Sequence, residues 1–429
     1  MEIDITTDAD SRFPDAEGVY NGIDLTKNSS FYGTALWEGD TVYAETVTLY
    51  EGRNEISLAY PIDEIISVRS YDLQTGYTYG IDYTVNSDGK LVITADTSIP
   101  VCDNSEYDIT NILQPGTSKL DYNAITYWKN KQYKYQIAVT YTHKETWGND
   151  SLYQVKPEGK LSNLSHLYEK LKNGEEVDVV FYGDSTTLGW NASGLDEQSL
   201  AYSGGNDAST LSATHATMHG VFGLSEVPDW ACDTWAHQVV NDLAKKFGTK
   251  VNIINKAVGS SNSAWGSATQ NLDFLLEGLE PDLMVIAYGG NDREYSSETM
   301  NTNITAIVDY VRAKTPDCDV VVPSTFKRGY PETGTGNLAN HEVGYYELEE
   351  TIDDLVVIPV HSYTESLMTG VKEHYDYTAN GYNHMNDFGQ RLYASVISGF
   401  LSEKEYEISF VDKFDKVFLL PRSAKETLC

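Results

Sequence analysis

Residues 179 to 189 read VVFYGDSTTLG, an apolar run that leads directly into Gly183, Asp184 and Ser185. The run from Val177 to Tyr182 has the length and β-branched content of a buried strand. A serine just beyond the carboxyl end of such a strand projects into the crevice where open α/β sheets bind ligands. The segment therefore predicts a nucleophilic hydroxyl at a strand end, although Gly-Asp-Ser alone is also a common turn tripeptide.

Strands and helices alternate along the chain around this segment. Apolar strand patterns cover Val177 to Tyr182, Val251 to Asn255, Asp282 to Tyr288, Asp319 to Val322 and Leu355 to Val360. Helical patterns cover Asn163 to Asn173, Asp233 to Phe247, Glu298 to Lys314 and a last helix from about Asn386 to Glu403. This alternation is typical of βαβ units, so we expect an α/β fold with a central parallel sheet and helices on both faces.

The preceding part of the chain has a different pattern. Short β-type runs separated by turn residues extend from about Thr41 to Thr142, which predicts an antiparallel β-sandwich. A length of 429 residues also favours more than one domain. We therefore expect an N-terminal β-sandwich domain over 1–145, a linker and lead-in helix over 146–174, a catalytic domain over 175–402 and a C-terminal extension over 403–429.

The charge of the chain narrows the classes of partner. Lys and Arg total 30 against 64 Asp and Glu, a formal net charge of −34 at pH 7. Such a surface repels phosphate backbones and anionic headgroups, so we expect neither a nucleic acid nor a membrane as partner, whereas neutral small-molecule or polysaccharide esters meet little repulsion. No run approaches the roughly 20 apolar residues of a membrane helix.

The N-terminus and the cysteines give two further expectations. Residues 1 to 7 lack a basic segment followed by an apolar run. We expect a secreted or extracellular protein whose signal peptide is absent from this sequence, with a cytoplasmic protein as the alternative. The spacing of Cys102, Cys232, Cys318 and Cys429 predicts neither a disulfide framework nor a zinc site.

Three more segments place reactive residue types after predicted strands or before the last helix. Gly259 follows the strand from Val251 to Asn255, and Gly289 to Asp292 read GGND after the next strand. A glycine allows a backbone N–H to approach an oxyanion closely, and the amide of Asn291 offers a second donor. His384 lies just before the last helix, where an imidazole can take the proton of a serine hydroxyl.

Together, the four segments resemble the motifs of SGNH (GDSL-type) hydrolases, which carry Ser, Gly, Asn and His in this order. The resemblance covers roughly residues 175–402 and implies a flavodoxin-like α/β/α sandwich. It implies that Ser185 is the nucleophile and His384 its general base. The order of a sandwich-like region before this domain also resembles two-domain carbohydrate deacetylases.

The same resemblance assigns the oxyanion hole and its support. It implies that the N–H groups of Ser185 and Gly259 and the side chain of Asn291 hold the oxyanion. Asp184 and Asp292 are the supporting residues of their motifs. No cofactor and no metal are implied.

One position departs from the family pattern. The family usually has an aspartate three residues before its histidine, and here Gly381 stands there. We therefore expect His384 to be oriented by a backbone carbonyl near residues 381 to 382, or by a side chain outside the usual spacing. Asp376 and Asp387 are the possible acids, although a capping role in the last helix also explains Asp387.

The polar stretch from Asn191 to Asp229 contains His215 and His219, four residues apart. One helical face could present both to a metal ion, but no third ligand is evident and a substrate-facing loop is the favoured interpretation. The abundant tyrosines of the N-terminal region favour either a carbohydrate-binding surface or simply strand formation.

These observations predict a serine esterase that removes short acyl groups, acetyl above all, from a carbohydrate. Two alternatives stay open. The same serine and histidine could transfer the acyl group to a sugar hydroxyl, and a carbohydrate-binding protein could have retained the fold without the activity.

Overall fold

The computed structural model describes residues 19–20, 23–27, 35–103, 131–144, 151–201, 212–328, 338–369, 371–404, 406–410 and 417–421. The part before residue 145 is formed by antiparallel strands. Its strands are β1 (Val19–Tyr20), β2 (Ile23–Asp24), β3 (Thr41–Thr48), β4 (Glu55–Ile56), β5 (Glu64–Ser70), β6 (Tyr83–Val85), β7 (Leu91–Ile93) and β8 (Gln136–Thr142).

Two three-stranded sheets, with the orders β3-β8-β5 and β4-β7-β6, form the body of this N-terminal region. Inward side chains of the first sheet, such as Val47 and Val139, belong to the same buried cluster as Ile56 and Leu91 of the second. Strand β5 alternates between buried and partly exposed residues, whereas the central strand β8 is buried along almost its whole length. The expected antiparallel N-terminal region is confirmed.

The rest of the chain alternates strands with helices. Its helices are α1 (Ser165–Asn173), α2 (Trp235–Phe247), α3 (Ser263–Gly266), α4 (Thr269–Leu276), α5 (Ser297–Arg312), α6 (Leu338–Thr351), α7 (Val360–Met368) and α8 (Asp387–Phe400). Its strands are β9 (Val177–Gly183), β10 (Asp196–Ala201), β11 (Ser212–Thr217), β12 (Val251–Asn255), β13 (Leu283–Ala287), β14 (Asp319–Pro323), β15 (Leu355–Ile358), β16 (Tyr406–Phe410) and β17 (Val417–Pro421). Among the described residues, no helix is both long and apolar enough to span a membrane.

The central sheet has five parallel strands in the order β12-β9-β13-β14-β15. This is the flavodoxin-like order. In such sheets the binding crevice lies outside the carboxyl ends of the strands that are first and third in the chain, here β9 and β13. The strands are apolar on both faces because helices cover both. Val179 and Phe181 pack with α2 and α8, and Val180 and Tyr182 pack with α4 and α5. The α/β/α fold is confirmed.

The last strand of the sheet is shorter than its apolar pattern. The sequence pattern extends to Val360, but β15 ends at Ile358 and Val360 begins α7. Pro359 separates them, and proline has no amide hydrogen to continue a strand ladder. Helices α3, α4, α6 and α7 lack a counterpart among the predicted elements.

The described cysteines are buried free thiols: Cys102, Cys232 and Cys318. Burial raises the pKa of Cys318 to about 12, and it also raises the pKa of Cys232. These thiols are therefore protonated core residues at neutral pH. Cys429 and residues 146–150 of the expected linker lie outside the described residues.

A buried ion pair joins the N-terminal sheets to the α/β part. Lys372 Nζ lies 2.6 Å from Glu45 Oε1 in β3, and both side chains are fully buried. The ammonium also donates to the backbone carbonyl of Thr46 at 2.9 Å, and Glu45 accepts from Ala59 N–H and the Tyr141 hydroxyl. Every charge is matched, so the two regions are locked at this point.

We expect Lys372→Met to lower the free energy of unfolding by about 3 to 5 kcal/mol, because it leaves the Glu45 carboxylate buried without a cation. Urea unfolding measures the change. Lys90→Met, which breaks the exposed Lys90 to Glu55 pair, is the control and should cost no more than about 1 kcal/mol. Equal effects of the two substitutions would contradict the locking role of Lys372.

Candidate active site

Ser185 lies just beyond β9, in the crevice at the carboxyl end of the central sheet. The chain turns sharply there, with hydrogen bonds from Leu188 N–H to the Asp184 carbonyl (3.1 Å) and from Trp190 N–H to the Ser185 carbonyl (3.0 Å). Gly183 makes this turn possible, because a Cβ at that position would lie 2.4 Å from the Ala287 carbonyl of β13. The Ser185 side chain is half-buried, so it remains open to a ligand.

His384 reaches the same crevice from the segment that precedes α8. The side-chain oxygen of Asn380 accepts three backbone N–H groups, from residues 382, 383 and 384, at 3.0 to 3.1 Å. Asn386 then caps α8 by accepting the N–H of Gly389 at 2.9 Å. The histidine is therefore fixed between a tight asparagine-centred turn and a helix start.

The structure brings Ser185 and His384 into direct contact. His384 Nε2 lies 2.9 Å from Ser185 Oγ, and His384 Nδ1 lies 3.0 Å from the side-chain oxygen of Asn191. A neutral imidazole satisfies both contacts when Nδ1–H donates to Asn191 and the unprotonated Nε2 accepts the serine hydroxyl. This tautomer is the one that a general base needs.

Asn191 is the partner of His384 that the sequence interpretation missed. It lies six residues after Ser185, is buried, and has a left-handed backbone with φ +76°. Asparagine tolerates this conformation better than most residues. The partner of Nδ1 is thus a side chain outside the usual spacing, and not a backbone carbonyl near residues 381 to 382. An isolated asparagine in a polar turn gives no sequence signal of this role.

The two candidate acids have other partners. Asp376 forms a bidentate ion pair with Arg53 of the N-terminal region, at 2.6 and 2.8 Å. Asp387 accepts the N–H and the hydroxyl of Ser193, at 2.9 and 2.7 Å. His384 Nδ1 instead contacts the side chains of Asn191 at 3.0 Å and Asn380 at 3.4 Å, so the geometry does not form a displaced Ser-His-Asp triad with either acid.

The residues expected in the oxyanion hole lie at neighbouring strand ends. A Cβ built on Gly259 would lie 4.0 Å from Ser185 Cβ, so the Gly259 backbone borders the serine. Asn291 donates one amide hydrogen to the Ser261 carbonyl at 2.8 Å, which fixes the orientation of the amide. An amide nitrogen carries two hydrogens, so the second is available to a ligand.

The two supporting aspartates stabilise the loops of the site from below. Asp292 accepts the N–H of Gly289 at 3.0 Å and both the N–H and the hydroxyl of Ser263 at 2.7 Å. Asp184 accepts the N–H of Thr186 at 2.8 Å. Burial raises the pKa of Asp184 to about 6, although nearby Arg328 and the Thr186 bond oppose the rise.

The two histidines of the polar stretch are not on one helical face. His215 lies in β11, where its ring is 3.4 Å from Asp196 in the paired strand β10, and His219 lies in the short 3-10 turn that follows. The disfavoured alternative of a shared helical face is thus not what the structure forms, because residues 212–217 pair as a strand. Residues 202–211 of this stretch lie outside the described residues.

A cluster with potential metal ligands occurs elsewhere, among His166, Asp319 and Asp354. Asp319 and Asp354 lie at the amino ends of β14 and β15, opposite the crevice that contains Ser185, and His166 lies in the first turn of α1. Asp319 there accepts the Leu167 N–H of α1 at 2.8 Å. Helix capping therefore accounts for the buried carboxylate.

A family model described as GDSL-like lipase/acylhydrolase matches residues 181–392. Residues 181–392 therefore form a domain that matches the GDSL-like lipase/acylhydrolase family. No curated protein matches the chain.

Several solved structures are similar to the chain at low identity. One is a two-domain esterase (CEX) active on acetylated mannans and co-crystallised with mannopentaose, at 22% identity and TM-score 0.39, covering 57% of this chain and 54% of that one. The match thus spans about half the length of that esterase. An acetylxylan esterase from Geobacillus stearothermophilus matches at 14% identity and TM-score 0.37, covering 54% of this chain and 96% of that one. A lipase from a goat rumen metagenome matches at 14% identity and TM-score 0.35, covering 53% and 100%.

We expect Asn191→Asp to raise the pH at which the His384 ring titrates, because a carboxylate stabilises the imidazolium and a neutral amide does so far less. NMR titration of the ring measures this without any assay of activity. Asn191→Gly, which suits a left-handed backbone and removes the amide, is the control and should produce no upward shift. An unchanged midpoint in Asn191→Asp would show that residue 191 does not contact the ring in solution.

The raised pKa of Asp184 predicts a pH-dependent stability. Its folded pKa of about 6 lies above the ordinary 3.8, so its contribution is full below 3.8 and is lost as pH rises through about 6. We expect the stability of the wild-type protein relative to Asp184→Asn to be greater at pH 5 than at pH 7. Urea unfolding at both pH values checks this, and a difference independent of pH would contradict it.

Proposed function

We propose that the protein is a serine esterase in which Ser185 is the nucleophile and His384 the general base. The observation that carries the proposal is the continuous hydrogen-bonded chain from Ser185 Oγ to His384 Nε2 (2.9 Å) and from His384 Nδ1 to Asn191 (3.0 Å). A serine in contact with a correctly oriented base is the arrangement that activates a hydroxyl for attack on a carbonyl.

The reaction proceeds in two halves. Ser185 Oγ attacks the ester carbonyl while His384 takes the hydroxyl proton, and the imidazolium then returns that proton to the departing alcohol. Water attacks the acyl-enzyme in the second half while His384 takes a proton from it. The tetrahedral intermediate then collapses, the imidazolium returns the proton to Ser185 Oγ, and the carboxylic acid is released. The N–H groups of Ser185 and Gly259 and the free amide hydrogen of Asn291 hold the oxyanion in both tetrahedral intermediates.

The preferred substrate in this proposal is a carbohydrate that carries short acyl groups, acetyl above all. Gly259 borders Ser185 and Asn291 follows the neighbouring strand β13, and these small or polar residues suit a short acyl chain better than a fatty one. The half-buried Trp190 lies beside His384, and the centroids of the two rings are 6.4 Å apart. Its indole offers an apolar face to a sugar ring. The net charge of −34 disfavours polyanionic substrates. A polysaccharide substrate also favours a secreted protein.

We expect Ser185→Ala to abolish hydrolysis of p-nitrophenyl acetate while the melting temperature stays within a few degrees of wild type, because the half-buried hydroxyl serves the reaction and not the core. Spectrophotometric assay of the purified proteins measures this. Ser267→Ala, at a half-buried serine just after α3, is the control. Full activity in Ser185→Ala would refute the nucleophile assignment.

We expect Asn291→Ala to lower kcat by about 10²-fold to 10³-fold with little change in KM, because an oxyanion donor acts in the transition state. Steady-state kinetics on acetylated xylan and mannan oligosaccharides measures both constants, and mass spectrometry with an added acceptor sugar reports whether water or sugar receives the acyl group. An effect confined to KM would assign Asn291 to substrate binding instead.

A further inference from the structure

The segment that carries His384 contains little regular structure of its own. We call residues 371–386 the His384 loop. A 3-10 turn covers His374–Asp376, and a single bridge pairs Thr378 with Met385 next to the histidine. The Ala379 N–H donates to the His384 carbonyl at 2.9 Å, which closes the turn. The position of the imidazole therefore depends on what holds residues 375 to 379.

Two buried glutamines of the N-terminal region hold this segment. Gln132 Nε2 donates to the carbonyls of Tyr375 (3.0 Å) and Thr378 (3.1 Å). Gln136 Nε2 donates to the same two carbonyls, at 2.9 and 2.8 Å. Both glutamines are almost completely buried, so these four hydrogen bonds are made in a poorly solvated environment where they are strong.

A buried ion pair acts on the same turn. Arg53 binds Asp376 through both guanidinium ends, and Asp376 also accepts the Thr48 N–H at 2.8 Å. Burial alone would raise the pKa of Asp376, but Arg53 and Lys372 hold it below its usual value, so the carboxylate stays ionised. The Thr48 hydroxyl donates to the Tyr375 carbonyl at 2.6 Å. The N-terminal region thus binds the His384 loop at three residues, Tyr375, Asp376 and Thr378.

The N-terminal region also occupies the space beside the position of the usual family acid. Gly381 has φ +68°, and a Cβ there would lie 3.0 Å from the side-chain oxygen of Gln132. A larger side chain at residue 381 would be strained and would press on this glutamine. An aspartate at position 381 would therefore conflict with the present position of the Gln132 side chain.

We propose that the N-terminal β region is a positioning part of the active site, with Gln132 and Gln136 as its positioning residues. They hold the Tyr375 and Thr378 carbonyls, and this fixes the turn that presents His384 to Ser185. The inference rests on the proposed Ser185 and His384 function. It assigns to the N-terminal region a role in turnover that a separate carbohydrate-binding module would not have.

The test replaces each glutamine by methionine, which has nearly the same shape but cannot donate a hydrogen bond. Each single variant keeps two of the four bonds and should fold, so Gln132→Met and Gln136→Met are measured before the double variant. We expect the double variant to lose about 10-fold to 100-fold in kcat on p-nitrophenyl acetate, with KM within about twofold, because a small displacement of the base costs rate more than binding. The single variants should lie between it and wild type.

Gln154→Met is the matched control. Gln154 is a partly buried glutamine whose amide donates to the Tyr153 hydroxyl at 3.2 Å, away from the His384 loop. Its kinetics should match those of the wild-type protein. Hydrogen exchange followed by mass spectrometry provides a second measurement, and we expect faster exchange of the amides at 377 to 386 in the glutamine variants but not in Gln154→Met.

The two proposals can fail separately. A wild-type protein that does not hydrolyse esters would refute the proposed function, whereas exchange in the His384 loop would still report whether the glutamines hold it. An active wild type with unchanged kcat in the double variant would overturn the positioning role, even if the melting temperature fell. Unchanged exchange at 377 to 386 would overturn it as well.

Discussion

The hydrogen bond between His384 Nε2 and Ser185 Oγ is the contact on which the site depends, and it joins residues 199 positions apart. Ser185 is fixed by the central sheet, since Gly183 pairs with Ala287 and the chain turns immediately beyond that pair. His384 has no comparable strand beneath it. Its position is set by an asparagine-centred turn, by the start of α8 and by the docked N-terminal sheets. Ser185 is thus positioned by the core of the α/β part, whereas His384 is positioned by the interface between that part and the N-terminal region.

The proposed base, His384, is oriented by the neutral side chain of Asn191. An amide oxygen fixes the tautomer of an imidazole as well as a carboxylate does, but it offers less stabilisation to the imidazolium that forms during reaction. The same use of an asparagine occurs beside the histidine of papain-like proteases. The two candidate acids interact with other residues here. Asp376 forms an ion pair with Arg53, and Asp387 accepts a hydrogen bond from the Ser193 hydroxyl. His384 Nδ1 thus contacts two neutral amides, those of Asn191 and Asn380.

The sequence predicted the central sheet because apolar runs such as Val177 to Tyr182 have a clear length and composition. It also identified Ser185 and His384, because their motifs occur in a recognised order. Asn191 could not be found this way, since its role depends on a left-handed turn and on a ring that comes from nearly 200 residues away. The contacts of Gln132 and Gln136 with the His384 loop could not be predicted from the sequence either. Gln136 is the first residue of β8 and Gln132 lies four residues before it, in a 3-10 turn. Only the packing of the two regions shows that their amides face the His384 loop.

The ion pair between Glu45 and Lys372 spans 327 positions, and this separation has a consequence during synthesis. The ribosome completes the N-terminal strands long before it delivers Lys372, so Glu45 must wait in a water-exposed state while the whole parallel sheet is made. Contacts between such distant positions form late and slow the final assembly. Strand β3 therefore keeps the Glu45 carboxylate without its cation for most of the elongation of the chain, until Lys372 is made.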